Sequence, residues 1–207
     1  MIKIIRDNMF SNTYILTRFN VCYIVDPSDD YETIIEKVGS KEILGILLTH
    51  AHFDHTMLIN RFLVPIFLHR EDANILFEDD WNGFNSYKIN RPYLRKELDL
   101  RFIEDQDELP LGDYKIRVYH TPGHTRGSLS FLCNDILISG DTLFKNGVGR
   151  YDFYSGSLFD LKRSVVRLID ELDPRTNVFP GHGPSTTIRD EKKCNDYYLK
   201  WKKQQRK

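Results

Sequence analysis

Short β-rich runs separated by turn residues open the chain. Residues 3–5, 13–17 and 22–25 predict strands, punctuated by Asn12, Asn20 and Asp26-Pro27-Ser28. Over 30–38 the period changes: Ile34, Ile35 and Val38 fall at helical spacing, and Gly39 supplies a stop. The continuous apolar run 43–48 predicts a buried central strand. Helices are expected at 54–62 and 71–77, with a short strand at 65–68 between them. The stretch 78–107 is the least regular and predicts a long loop with a helix around 93–98. A second β-rich half follows. Residues 114–119 alternate, 128–133 and 136–139 form a hairpin about Asn134-Asp135, and 177–179 make a last strand before Pro180-Gly181. Leu158, Leu161, Val165, Leu168, Ile169 and Leu172 give residues 158–172 a helical apolar stripe. Two sets of strands, each followed by helices, predict a layered α/β architecture.

At 207 residues the expected organisation is a single domain, 1–207, with a short basic carboxy-terminal segment from about 190. That segment predicts a solvated helix end with a frayed basic tail. A formal net charge of −1 argues against nucleic acid as the main partner. Charges interrupt the amino terminus at once and no apolar run approaches membrane-spanning length, so a soluble, cytoplasmic protein without a membrane partner is expected. The three cysteines are odd in number and far apart. Cys22 and Cys133 lie in strand-like runs and read as small core hydrophobes.

The chemistry concentrates in Thr49-His50-Ala51-His52-Phe53-Asp54-His55, directly after the apolar strand. Four ligand-type side chains on so short a loop cannot all serve one tetrahedral ion, but they can be divided between two adjacent ions. Imidazole and carboxylate together suit zinc first, with iron or manganese as alternatives. Three further candidates stand at strand ends: His124 in Pro122-Gly123-His124, Asp141 in Gly140-Asp141-Thr142, and His182 in Pro180-Gly181-His182-Gly183-Pro184. A glycine before each lets the backbone turn and approach closely. Five His and two Asp suffice for two ions sharing one carboxylate. His69 and His120 have no such setting, although His120 is a candidate for orienting a ligand.

In this order, Thr-His-x-His-x-Asp-His, Pro-Gly-His, Gly-Asp-Thr-Leu-Phe and Pro-Gly-His-Gly-Pro resemble the metallo-β-lactamase superfamily. The stretches 139–150 and 179–188 look most like its short, glyoxalase II-like hydrolases. The resemblance implies a four-layer αββα sandwich. It implies one ion on His50, His52 and His124, a second on Asp54, His55 and His182, and Asp141 bridging them. It also makes Arg150 a substrate contact. Full-length glyoxalase II enzymes carry an extra helical domain that helps hold glutathione, and only residues 184–207 follow the last ligand here.

Two ions roughly 3.5–4 Å apart lower the pKa of a shared water toward neutrality. Asp54 would orient that water as well as bind metal. No GxSxG or similar nucleophile motif is present, so water is the expected attacker. With no dedicated acid visible, a thioester, whose thiolate leaves without protonation, fits better than a lactam. The expected activity is therefore a metal-dependent thioesterase of glyoxalase II type acting on S-lactoylglutathione-like substrates. Two alternatives are a mononuclear iron persulfide dioxygenase of the same superfamily and a non-catalytic metal-binding protein.

Overall fold

In the computed structural model, which describes residues 2–5, 10–28, 30–92 and 97–205, the chain is built on two six-stranded sheets packed face to face. The first holds β1 (Ile2–Ile5), β2 (Thr13–Arg18), β3 (Val21–Val25), β4 (Glu42–Leu47), β5 (Ile66–Leu68) and β6 (Leu100–Phe102), in that order. Strands β1 to β3 are antiparallel and β3 to β6 parallel. The second sheet comes from β7 (Glu108–Leu111), β8 (Tyr114–His120), β9 (Leu129–Cys133), β10 (Ile136–Gly140), β13 (Asn177–Pro180) and β14 (Thr186–Thr187). Its order is β14-β13-β10-β9-β8-β7. A small hairpin, β11 (Leu143–Phe144) and β12 (Gly147–Val148), lies between β10 and the long helix.

Alternation along the strands explains the layering. Tyr14, Leu16, Tyr23, Val25 and Leu47 of the first sheet meet Ile116, Val118, Leu129, Phe131 and Ile138 of the second in one central core. The opposite faces are apolar too. Ile15, Cys22, Ile24, Ile46 and Ile66 pack under α1 (Tyr31–Val38) and the segment 59–76. Leu137 and Val178 pack under α5 (Leu158–Glu171), α6 (Ile188–Cys194) and α7 (Asp196–Gln205). A sheet whose two faces are both apolar must be covered twice. The result is the expected αββα sandwich. Among the described residues no helix is long and apolar enough to cross a membrane.

Several elements differ from the sequence reading. The helix expected at 54–62 is only α2 (Phe53–Thr56) followed by a 3-10 turn, Ile59–Arg61. Its ladder is diverted: the Asp54 carbonyl accepts from Ser11 N (3.3 Å) and Oγ (2.8 Å), and Leu58 N donates to Pro27 O (3.0 Å). Residues 71–77 form two 3-10 turns, Arg70–Asp72 and Ile75–Phe77. The stretch 78–107 is not one loop, since it holds α3 (Asp79–Asn82), α4 (Phe84–Tyr87) and the edge strand β6. Of the helix expected at 93–98, residues 93–96 lie outside the described residues and 97–98 are irregular. The carboxy-terminal segment is more than a solvated tail, because Ile188, Tyr198 and Trp201 are buried against α5 and the second sheet. Arg206 and Lys207 lie outside the described residues.

Candidate metal centre

All seven predicted donors meet at one edge of the sandwich. The loop after β4 carries His50, His52, Asp54 and His55, and the β8–β9 loop carries His124. Asp141 follows β10 and His182 follows β13. The two sheets are tied there by a hydrogen bond from Leu129 N to Thr49 O of 2.7 Å. Close approach explains two glycines. Gly140 has φ +49°, and a Cβ on it would collide with Thr49. A Cβ on Gly181 would run into Asp141 Oδ1 and the His55 ring.

The donors fall into overlapping groups: His50, His52 and His124; His50, His55 and Asp141; and Asp54, His55 and His182. Within each group one ligand atom per residue lies within 4.8 Å of the others. His52 Nδ1 and His124 Nε2 stand 2.9 Å apart. Asp141 sits between the clusters, with Oδ1 3.5 Å from His55 Nε2 and Oδ2 3.6 Å from His124 Nε2 and 3.5 Å from His182 Nε2. Asp54 Oδ2 is 3.1 Å from His182 Nε2. The side chains of His182 and Asp54 are 39% and 19% exposed, so this end opens to solvent.

Hydrogen bonds at the far nitrogens set the tautomers. His55 Nδ1 donates to Asp26 Oδ2 at 2.8 Å and His124 Nδ1 to the Arg150 carbonyl at 2.7 Å. Thr49 Oγ1 gives its proton to Asp26 Oδ2 (2.7 Å), which leaves it to accept from His50 Nδ1 (3.1 Å). In each ring Nδ1 carries a proton to its outer partner and Nε2 faces the cluster. His50 Nε2, His55 Nε2 and Asp141 Oδ1 are buried with no hydrogen-bond partner. Orphaned buried acceptors in a native fold point to a missing partner, here a cation.

Electrostatics agree. Burial, reinforced by neighbouring imidazoles, holds His50 well below the ordinary imidazole range, takes His52 down to about 3, and lowers His124. These rings are neutral donors at pH 7. Burial opposes ionisation of Asp54 and Asp141, but His55 and His182 outweigh it and hold both carboxylates ionised. Burial likewise disfavours His55 and His182 as cations, yet the carboxylates raise both. Three neutral imidazoles, and two whose extra protons a cation would displace, beside ionised carboxylates fit a dinuclear metal site.

Two buried carboxylates that sequence reasoning missed position this cluster. Asp26 accepts from Thr49 N (2.8 Å), Thr49 Oγ1 and His55 Nδ1. Asp72 accepts from Ala51 N (3.0 Å), between His50 and His52, from Thr125 Oγ1 (2.8 Å), beside His124, and from Gly127 N (2.8 Å). Burial raises Asp72 to about 6 against those three donors. Asp26 stands in an Asp-Pro-Ser turn signal and Asp72 at an expected helix start, so neither announced itself. His120 does not orient a ligand. It stacks on His69 at 4.1 Å and bonds the Arg126 carbonyl through Nε2 (2.8 Å). Cys22 is buried, and burial pushes its thiol up to about 11, as befits a core hydrophobe.

A cavity of about 380 Å³ opens above the cluster and reaches Asp54, Asp141, His52, His124 and His182. Arg150 is among the residues that line it. Its guanidinium is engaged, however, by two bonds to Asp152 (2.9 and 2.8 Å) and by the Phe153 face at 4.0 Å.

An αββα sandwich with a His/Asp cluster at its edge defines a class of protein built to hold two metal ions. The sequence of residues 6–182 matches the metallo-beta-lactamase superfamily, and the chain belongs to it. It is 33% identical over 195 residues to the probable metallo-hydrolase YqgX of Bacillus subtilis, covering 90% of this chain and 92% of that one. Among solved structures it is similar to the BLEG-1 B3 metallo-beta-lactamase, with 33% identity, a TM-score of 0.87, and 96% and 99% of the two chains covered. TTHA1623, in a di-iron-bound form, is 31% identical with a TM-score of 0.80, covering 93% of this chain and 97% of that one.

Proposed function

We propose that the protein is a dinuclear-metal hydrolase that cleaves a thioester with water, the bond class of glyoxalase II. In this reading His50, His52 and His124 hold one ion, Asp54, His55 and His182 the other, and Asp141 lies between them. The observation that carries it is the set of orphaned buried donors, arranged about Asp141 beneath an open cavity. The di-iron form of TTHA1623 supports the nuclearity. Bound ions would supply a water of near-neutral pKa and polarise the acyl carbonyl. The chain's own residues do the rest. Asp54, ionised and partly open to the cavity, accepts a hydrogen bond from the attacking water and orients its lone pair. Among the described residues of the lining, no carboxylate or imidazole stands outside the proposed ligand set to serve as a dedicated acid. A leaving group that departs as a thiolate, with a thiol pKa around 8.5, suits that lining better than an amine.

The test is a hydrolysis screen on metal-assayed protein reconstituted with zinc, iron or manganese. Two metals per chain and thiol release from a thioester are expected. A ceiling of one metal, with oxygen uptake on a persulfide, replaces this reading with the dioxygenase. Two metals without turnover of any ester favours a binding protein. The likeness to BLEG-1 gives β-lactam hydrolysis as the second reading, and faster turnover of a β-lactam than of every thioester would establish it.

A further inference from the structure

The cavity wall has its own chemistry. Phe10, Phe53, Tyr87, Ile89, Phe144 and Phe153 line it, and two of them abut the donors. Phe153 meets the His52 ring edge-on at 5.4 Å and the His124 ring at 6.0 Å, and Phe144 meets His182 at 6.2 Å. Tyr87 packs on Phe53 at 5.2 Å. Among the described residues no lysine lines the cavity, and Arg150 is the one guanidinium in its lining. That guanidinium is bound by Asp152 through both oxygens and lies flat on Phe153. An anionic substrate group entering here would shed water against aromatic faces and compete with Asp152 for a guanidinium held in a solvent-exposed pair. An apolar group would gain from the same faces.

We propose that this cavity selects thioesters whose acyl side group is uncharged and apolar, an aromatic or medium-length alkyl group, and that it does not recognise the charges of glutathione. This rests on the thioesterase reading for its chemistry and on the wall alone for its selectivity. The thioester carbonyl belongs at the His/Asp cluster, and the side group lies against Phe53, Phe153 and Tyr87. Arg150 shields the mouth with its paired, stacked guanidinium and does not capture carboxylates.

The test crosses two acyl series with two thiols: acetyl to hexanoyl, with lactoyl, on N-acetylcysteamine and on glutathione. With the metal-loaded enzyme, kcat/KM should rise by about fourfold per added methylene until the cavity is filled. The neutral thiol should serve at least as well as glutathione. A glutathione thioester preferred tenfold over its N-acetylcysteamine counterpart, or a flat response to acyl length, overturns the proposal. Asp152→Asn unmasks Arg150 and should shift the ratio of glutathione to neutral thioester by about tenfold toward glutathione. An unmoved ratio also counts against it. Calorimetry with non-hydrolysable ketone analogues separates the two claims. Saturable binding that tightens with alkyl length and carries a negative heat-capacity change upholds the cavity assignment even if no thioester is cleaved, a result that would sink only the thioesterase reading. Thioester cleavage with no such tightening does the reverse.

Discussion

The floor and the wall of this site are held in different ways. The floor is over-determined: five of its seven donors stand on two loops stitched together by Asp72 and the Leu129–Thr49 backbone bond, with Asp26 holding Thr49 and His55. The wall comes from two short helices and a β11–β12 flank on the outside of the sandwich. Its first half is pinned by Arg91, which bonds the carbonyls of Leu76 and Phe77 and pairs with Asp79 at 2.7 Å. Tyr87, at its end, is 53% exposed. A chemistry that tolerates little displacement is built on the first, and a specificity that tolerates change is built on the second.

The sharpest break in that contrast is at Asp141. Asp141→Ala removes the carboxylate shared by both clusters, so metal content should fall toward zero and kcat/KM by at least about 10³-fold, or roughly 4 kcal/mol. Asp54→Ala should abolish turnover comparably but leave His50, His52 and His124 their ion. Elemental analysis checks this, and equal metal content in both variants and the parent contradicts the division.

Asp72 gives the next largest effect, and its sign can be worked out. Its folded pKa is raised from 3.8 to about 6, so between those values the native state holds a proton that the unfolded chain releases. Stability from this group is present below pH ~4 and lost as pH rises toward 6, by on the order of 3 kcal/mol. Urea titrations of the metal-free protein should therefore show the wild type losing that much relative to Asp72→Asn across the window. A difference that stays flat with pH would mean that Asp72 is ionised throughout. At neutral pH the same variant presents an amide where Ala51, Thr125 and Gly127 need an acceptor. Metal affinity at the His50, His52, His124 group should fall about 10–100-fold, read by chelator competition, with the second ion retained.

What the sequence disclosed follows the same division. The floor was legible because its donors are crowded into one seven-residue run and three glycine-marked strand ends. Chemistry that local survives without knowledge of the fold. The layering was legible because β2, β3 and β4 are apolar on both faces. The clamps were not, because a lone Asp in a turn signal has no local pattern, and only the fold brings Asp72 against Ala51 and Thr125. Nor was the Tyr87 side of the wall, since Tyr87 read as a loop aromatic until Gly83, at φ +97°, folds the chain back over Phe53. The short edge strands β6 and β7 were missed too, the latter carrying Pro110 where only an edge tolerates it. Arg150 and Asp152 stood two residues apart in plain view, but their pairing depends on side-chain direction.

Tyr87→Ala makes the smallest expected change and tests the wall most directly. The ring is half exposed, packs on Phe53 and bonds Arg150 at the surface, so truncation should cost stability less than about 1 kcal/mol. Phe53→Ala empties a 7% exposed position that packs Phe10, Phe84 and Tyr87, and should cost about 3–5 kcal/mol. If the wall only selects, Tyr87→Ala should raise KM for an apolar thioester several-fold with kcat nearly constant, because it removes contact made equally in ground and transition states. A fall in kcat with KM unchanged would place Tyr87 at the reacting atoms. The wall would then belong to the chemistry as well as to the choice of substrate, and the division between the two regions would fail.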